Sequence, residues 1–156
     1  MCCVKNHTIL KPFGGLWASP IDAENGWINW CRRENFRRNK YNKDHFFLFS
    51  LENNVNVVHI YCREDLYRLP RLNLGDRYKD DKDYLDRIYF VDYEKALLRN
   101  GIDAIELHLS QEKNCDYDKR LCFQLSDWDC DCIFVMNADV VVPYKFSFDS
   151  NTRENK

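Results

Sequence analysis

Glycine and proline are scarce in this chain, five and four of 156 residues, and the scarcity excludes several functions. No Gly-x-Gly-x-x-Gly is present, so a Rossmann-type dinucleotide fold has no support. The Gly14-Gly15 pair lacks the lysine and the helix start of a phosphate-binding loop. There is no Gly-x-Ser-x-Gly to raise a serine nucleophile, and no His-x-x-x-His pair of the zinc-protease kind. No apolar run approaches the ~20 residues of a membrane-spanning helix, and the first ten residues lack the apolar core of a signal peptide. An excess of one charge is also missing: 23 basic residues against 25 acidic ones leave −2. That balance argues against a protein that works by neutralising many nucleic-acid phosphates.

What is present is a normal apolar content, 45%, with a high aromatic share of 15%. A chain of this length buries about 70% of its unfolded surface, so a single folded domain is expected over residues 1–149, with a polar tail over 150–156. The expected setting is soluble and intracellular, with no membrane contact. Eight cysteines without an export signal read as free thiols filling core space. Zinc spacing is poor, since no Cys-x-x-Cys occurs. Cys130 and Cys132 face the same way on a strand, and a site joining them with Cys122 and His108 is the one metal arrangement conceivable; no metal is expected.

Residues 11–15 read as a glycine loop, Leu16 to Ser19 as a short strand ended by Pro20, and Asp22 as the N-cap of a helix running to Asn35. That helix would lead into a basic stretch from Arg32 to Lys43. Strand-like runs follow over 45–51 and 55–61, then a short helical turn before Pro70 and a long loop over 71–87. Asp92 caps a helix that Gly101 stops. Residues 102–109 alternate as a half-buried strand, 121–125 form another, and 132–136 form a continuous apolar one. Strands outnumber helices, and an α+β fold follows.

Three segments carry candidate chemistry. Gly14, Gly15, Trp17 and Ser19 combine bare backbone, an indole and a hydroxyl that together suit a flat heteroaromatic ligand and its ribose; the alternative is that Trp17 packs in the core. Trp27 and Trp30 either add an aromatic wall or pack inward at helical spacing. Glu106, between Ile105 and Leu107, must turn away from the apolar face, toward solvent or into a cleft. Asp129 and Asp131, at i and i+2 beside Trp128, share a face of an extended chain, where paired acids raise one another's pKa or hold a ribose hydroxyl; a solvated strand entrance is the plainer reading.

These segments together resemble the ADP-ribosyltransferase fold, in particular its small divergent bacterial and phage members. Gly15-Leu16-Trp17-Ala18-Ser19 is similar to the early strand lining the nicotinamide pocket. Gly101-Ile102-Asp103-Ala104-Ile105 matches a second family pattern, and Met136-Asn137-Ala138-Asp139-Val140 is similar to the family's closing strand. The resemblance implies two small, mostly antiparallel sheets forming a split β-sandwich cleft, with helices packed on one side. It also implies NAD as the substrate bound and a mono-ADP-ribosyltransferase that modifies a protein or nucleic-acid acceptor. Asp131 or Asp129 would be the catalytic acid, with Glu106 as the competing choice. Gly14, Gly15, Trp17, Ser19 and Trp27 would line the NAD site, and His7 is the one histidine available near the start to anchor the adenosine ribose. The chain departs from the family in lacking a Glu-x-Glu or Gln-x-Glu pair. A reading from another class is a phage-type inhibitor without chemistry, which binds a host protein or ribonucleoprotein through its aromatic and basic surface.

Overall fold

The alternating run after Gly101 becomes the centre of a four-stranded sheet. In the computed structural model, which describes residues 4–7, 11–36, 47–74, 89–111, 125 and 128–144, the strands are β1 (Leu16–Ala18), β2 (Phe49–Leu51), β3 (Val57–Ile60), β4 (Ala104–Leu107), β5 (Cys132–Val135) and β6 (Val141–Pro143). The order in the larger sheet is β1-β5-β4-β3; β2 and β6 form a separate antiparallel pair. Only β3 and β4 run parallel among these pairings. Parallel neighbours need a long crossover, and here it contains helix α2 (Tyr93–Asn100). Helix α1 (Trp27–Arg33) follows β1. The fold is α+β, with two small, mostly antiparallel sheets.

Side chains alternate between the two faces of a strand, and the register therefore sorts the sheet. Trp17, Phe134, Ile105 and Val58 form one row, and Cys132, Leu107 and Ile60 another, on the same face. This is the core face: apart from half-buried Trp17, these residues are all buried. Tyr93 and Ala96 of α2 join the same apolar cluster, and Trp30 of α1 packs against it, so both helices cover this face. Each large side chain buried here contributes roughly 1.5–3 kcal/mol.

Helix α2 follows its sequence signals. The Asp92 carboxylate accepts from Lys95 N at 3.0 Å, and Gly101 closes the helix in the left-handed region at φ 63°. A residue with a Cβ avoids that conformation. The start of α1 differs from expectation. Asp22 lies in a turn, and the cap position belongs to Gly26, with no side-chain cap of its own. That turn, closed by Ala23 N to Pro20 O, and a second, closed by Gly26 N to Ala23 O, use up the intervening residues. The hydroxyl of Ser19 then accepts from Trp27 N at 2.9 Å, which supplies the missing cap from a distance.

Other expected bounds shift by a few residues. The 55–61 run narrows to β3, and the turn before Pro70 is a 3₁₀ segment over Arg63–Arg68. Residues 45 and 46 and most of 121–125 lie outside the described residues, as do most of the 71–87 loop and the 150–156 tail. The start of that loop is pinned, because Arg71 bridges to Val91 and Leu72 N donates to Phe90 O at 2.8 Å. No helix among the described residues is long and apolar enough to cross a membrane.

Candidate functional site

The outer face of the four-stranded sheet carries the convergent polar groups. One register row across it is Ala18, Ile133, Glu106 and His59. His108 stands two residues after Glu106, on the same side, just beyond β4. Its main-chain N–H donates to Ile60 O at 3.0 Å, which continues the β3–β4 ladder and fixes its position. His59 Nδ1 lies 2.9 Å from Glu106 Oε2, His108 Nε2 lies 3.6 Å from the same oxygen, and the two ring nitrogens are 3.2 Å apart. Tyr61 stacks flat on the His108 ring, 4.3 Å between centroids and 9° between planes. The side chain of His59 is 46% exposed and that of Glu106 19%; His108 is 14% exposed. Solvent therefore reaches the cluster while the carboxylate is half-withdrawn from it. Beside it, half-buried Ala18 and Ile133 give a low apolar floor.

The other nominated residues lie elsewhere. Trp17 belongs to the core face, stacked on Phe134 at 4.5 Å and meeting Trp128 edge-on at 4.7 Å, with the Lys11 ammonium 4.7 Å from its ring centroid. The sheet itself separates Trp17 from Glu106. The Ser19 hydroxyl donates to Asp131 O at 2.7 Å besides capping α1, so it ties two main-chain segments together. Asp131 is buried, and its carboxylate accepts from Ser110 N at 2.9 Å and from the Ser110 hydroxyl. Asp129 is exposed. Gly14 and Gly15 both have positive φ, 79° and 62°, but a Cβ on Gly15 would overlap the Phe134 ring; the bare backbone there admits a core side chain. Trp27 stacks on Trp30 at 5.1 Å on the surface of α1. His7 sits edge-on to Phe13. Of the basic stretch, Arg32 and Arg33 are described and exposed, and 37–43 lie outside the described residues.

Two segments behind the resemblance do meet. The Asp103 carboxylate accepts from Asn56 N at 3.0 Å and Asn137 Nδ2 at 2.8 Å, and Met136 N donates to Asp103 O. This knot braces the start of β4 against the end of β5. The thiols of Cys31, Cys62, Cys130 and Cys132 are free, three of them buried. Hydrogen bonding from the Cys132 thiol favours the Cys130 thiolate and lowers its pKa. The same bond, with burial, holds the Cys132 proton in place. Cys122 lies outside the described residues.

What a reading of the sequence misses is the convergence of His59 and His108 on Glu106; His108, weighed there as a metal ligand beside Cys122, Cys130 and Cys132, stands on the outer face, whereas Cys132 lies on the core face. The available signal was Glu106-Leu107-His108, an acid and an imidazole at i and i+2 of an alternating run, hence on one face. His59 had no such local signal, because only the β3–β4 register brings it to Glu106. No family model, curated protein or solved structure matches the chain.

Proposed function

We propose that the protein is a group-transfer enzyme whose reacting carboxylate is Glu106, acting on the nicotinamide–ribose bond of NAD as the ADP-ribosyltransferase resemblance implies. The observation that carries this reading is the position of Glu106. Among the three nominated acids, its carboxylate is the one beside two imidazoles on a half-open sheet face, whereas the Asp131 carboxylate is committed to Ser110.

Cleavage of the bond between C1′ and the nicotinamide nitrogen sends the electron pair to nicotinamide and leaves positive charge on the ribose. A carboxylate about 3 Å from the 2′-hydroxyl stabilises that charge, and a preorganised group of this kind contributes several kcal/mol. The new bond joins C1′ to a nucleophilic atom of a protein or nucleic-acid acceptor, whose proton passes to an imidazole acting as general base. In this reading Trp17 and Ser19 serve the fold, and Ala18 and Ile133 form the floor under the sugar.

The test is incubation of the purified chain with labelled NAD and a cell extract. Nicotinamide release and label transfer are expected, both falling by roughly 10²–10³ in Glu106→Gln. Absence of release, of transfer and of any thermal shift with NAD dismisses the reading.

A second reading, an inhibitor that binds a host macromolecule without chemistry, is favoured by one surface feature. Trp27 and Trp30 of α1 cluster with Phe36, three residues past its end, at ring centroid distances of 5.1–5.8 Å, next to exposed Arg32 and Arg33. It expects charge reversal at both arginines to abolish partner binding and Glu106→Gln to leave it intact.

A further inference from the structure

The Nδ1 of His59, the Nε2 of His108 and one Glu106 oxygen converge on one point, and with both ring nitrogens unprotonated three lone pairs meet there, which a cation would join. We infer that this cluster is a binding site for one divalent transition-metal ion of the zinc or cobalt type. The geometry carries the inference. Ligands at about 2.05 Å around a tetrahedral ion are roughly 3.4 Å apart, and the three separations here are 2.9, 3.2 and 3.6 Å. A circle through the three atoms has a radius of about 1.9 Å, so an ion at about 2.1 Å from each sits just above their plane.

The donor set selects the ion. Two imidazoles and one carboxylate suit zinc, cobalt and nickel, whereas magnesium and calcium prefer oxygen-only shells. The backbone explains why different ring nitrogens are used. His59 stands directly opposite Glu106 and meets it with the near nitrogen, Nδ1. His108 lies past the end of β4 and reaches back with the distal Nε2. Tyr61, flat against His108, restrains that ring, as groups around a metal ligand do. All three ligands come from one sheet face, so they occupy one side of the ion. The 46% exposure of His59 leaves an entry path.

The site goes beyond the NAD reading and does not depend on it. If both hold, the ion takes the Glu106 lone pairs that the sugar needs, and metal suppresses transfer.

The test uses the full chain freed of metal with EDTA and titrated with cobalt(II). Visible d–d bands saturating at one equivalent are expected, without the near-ultraviolet charge-transfer band of a cobalt thiolate, which matters in a chain with eight cysteines. Zinc should displace the cobalt, and millimolar magnesium should not. His59→Ala, His108→Ala and Glu106→Gln should each weaken binding by roughly tenfold or more. Glu106→Gln keeps the side-chain shape and His59 is exposed, so circular dichroism can verify that at least these two variants fold. No cobalt bands overturns the inference, as does a thiolate spectrum or an affinity indifferent to all three substitutions. Nicotinamide release is measured on the EDTA-treated protein, so loss of either result leaves the other standing.

Discussion

Trp17 and Ala18 are consecutive residues of β1 with opposite fates. The Trp17 ring stacks on Phe134 in the core, while Ala18 lies in the register row that leads through Ile133 to Glu106 and His59. One residue of parity thus moves the working face of the sheet from the indole to the imidazoles. Because neighbours in a register row share a face, residues far apart in sequence, Ile133 and His59 among them, become neighbours of one carboxylate.

The same parity makes Gly15 a packing residue. With φ at 62° and the Phe134 ring where a Cβ would stand, Gly15→Ala is expected to cost roughly 2–4 kcal/mol. Gly101 has nearly the same φ, 63°, but nothing within 4 Å, so Gly101→Ala should cost only about 1–2 kcal/mol. Urea unfolding of the two variants measures the difference, and equal losses would refute the packing role of Gly15.

Asp131 joins the end of β4 to the start of β5 through Ser110 and, by its main chain, to Ser19 and Asn25. Asp131→Ala removes two hydrogen bonds from Ser110 to a charged, buried acceptor, and although water can reach exposed Ser110, the loss is expected to cost about 1–2 kcal/mol. A drop in melting temperature is expected. An unchanged melt would mean that this carboxylate is not structural.

Asp65 gives the fold an acid-sensitive point. Burial works to raise its carboxyl, but the N–H groups of Tyr61 and Cys62, the Cys62 thiol and the Arg68 guanidinium outweigh that, and the carboxyl is held below its usual range. A depressed acid contributes stability that is present above the unfolded carboxylate pKa and is lost as pH falls through the folded value. Stability measured by denaturant between pH 6 and about pH 2 should therefore fall more steeply in the native chain than in Asp65→Asn. Parallel profiles would remove Asp65 from the account.

Local interactions explain what was legible. Helix α2 needed only Asp92 to cap it and Gly101 to end it, both within hydrogen-bond reach of the helix itself. β4 and β5 were visible because alternation and a continuous apolar run each report how many faces of a strand are covered. The start of α1 was misplaced, since its cap is a hydroxyl eight residues upstream and a window on Asp22 holds no trace of it.

The chain's own pattern determined the fold class, the single αL stop of α2 and the outward turn of Glu106, because those depend on neighbours close in sequence. Tertiary structure alone decided that Trp17 packs on the core face, that Ser19 ties two main-chain segments together, that Asp131 is a brace, and that His59 and His108 converge on Glu106. Those outcomes depend on strand order and register, and a shift of one residue in any pairing exchanges the buried and exposed faces of that strand.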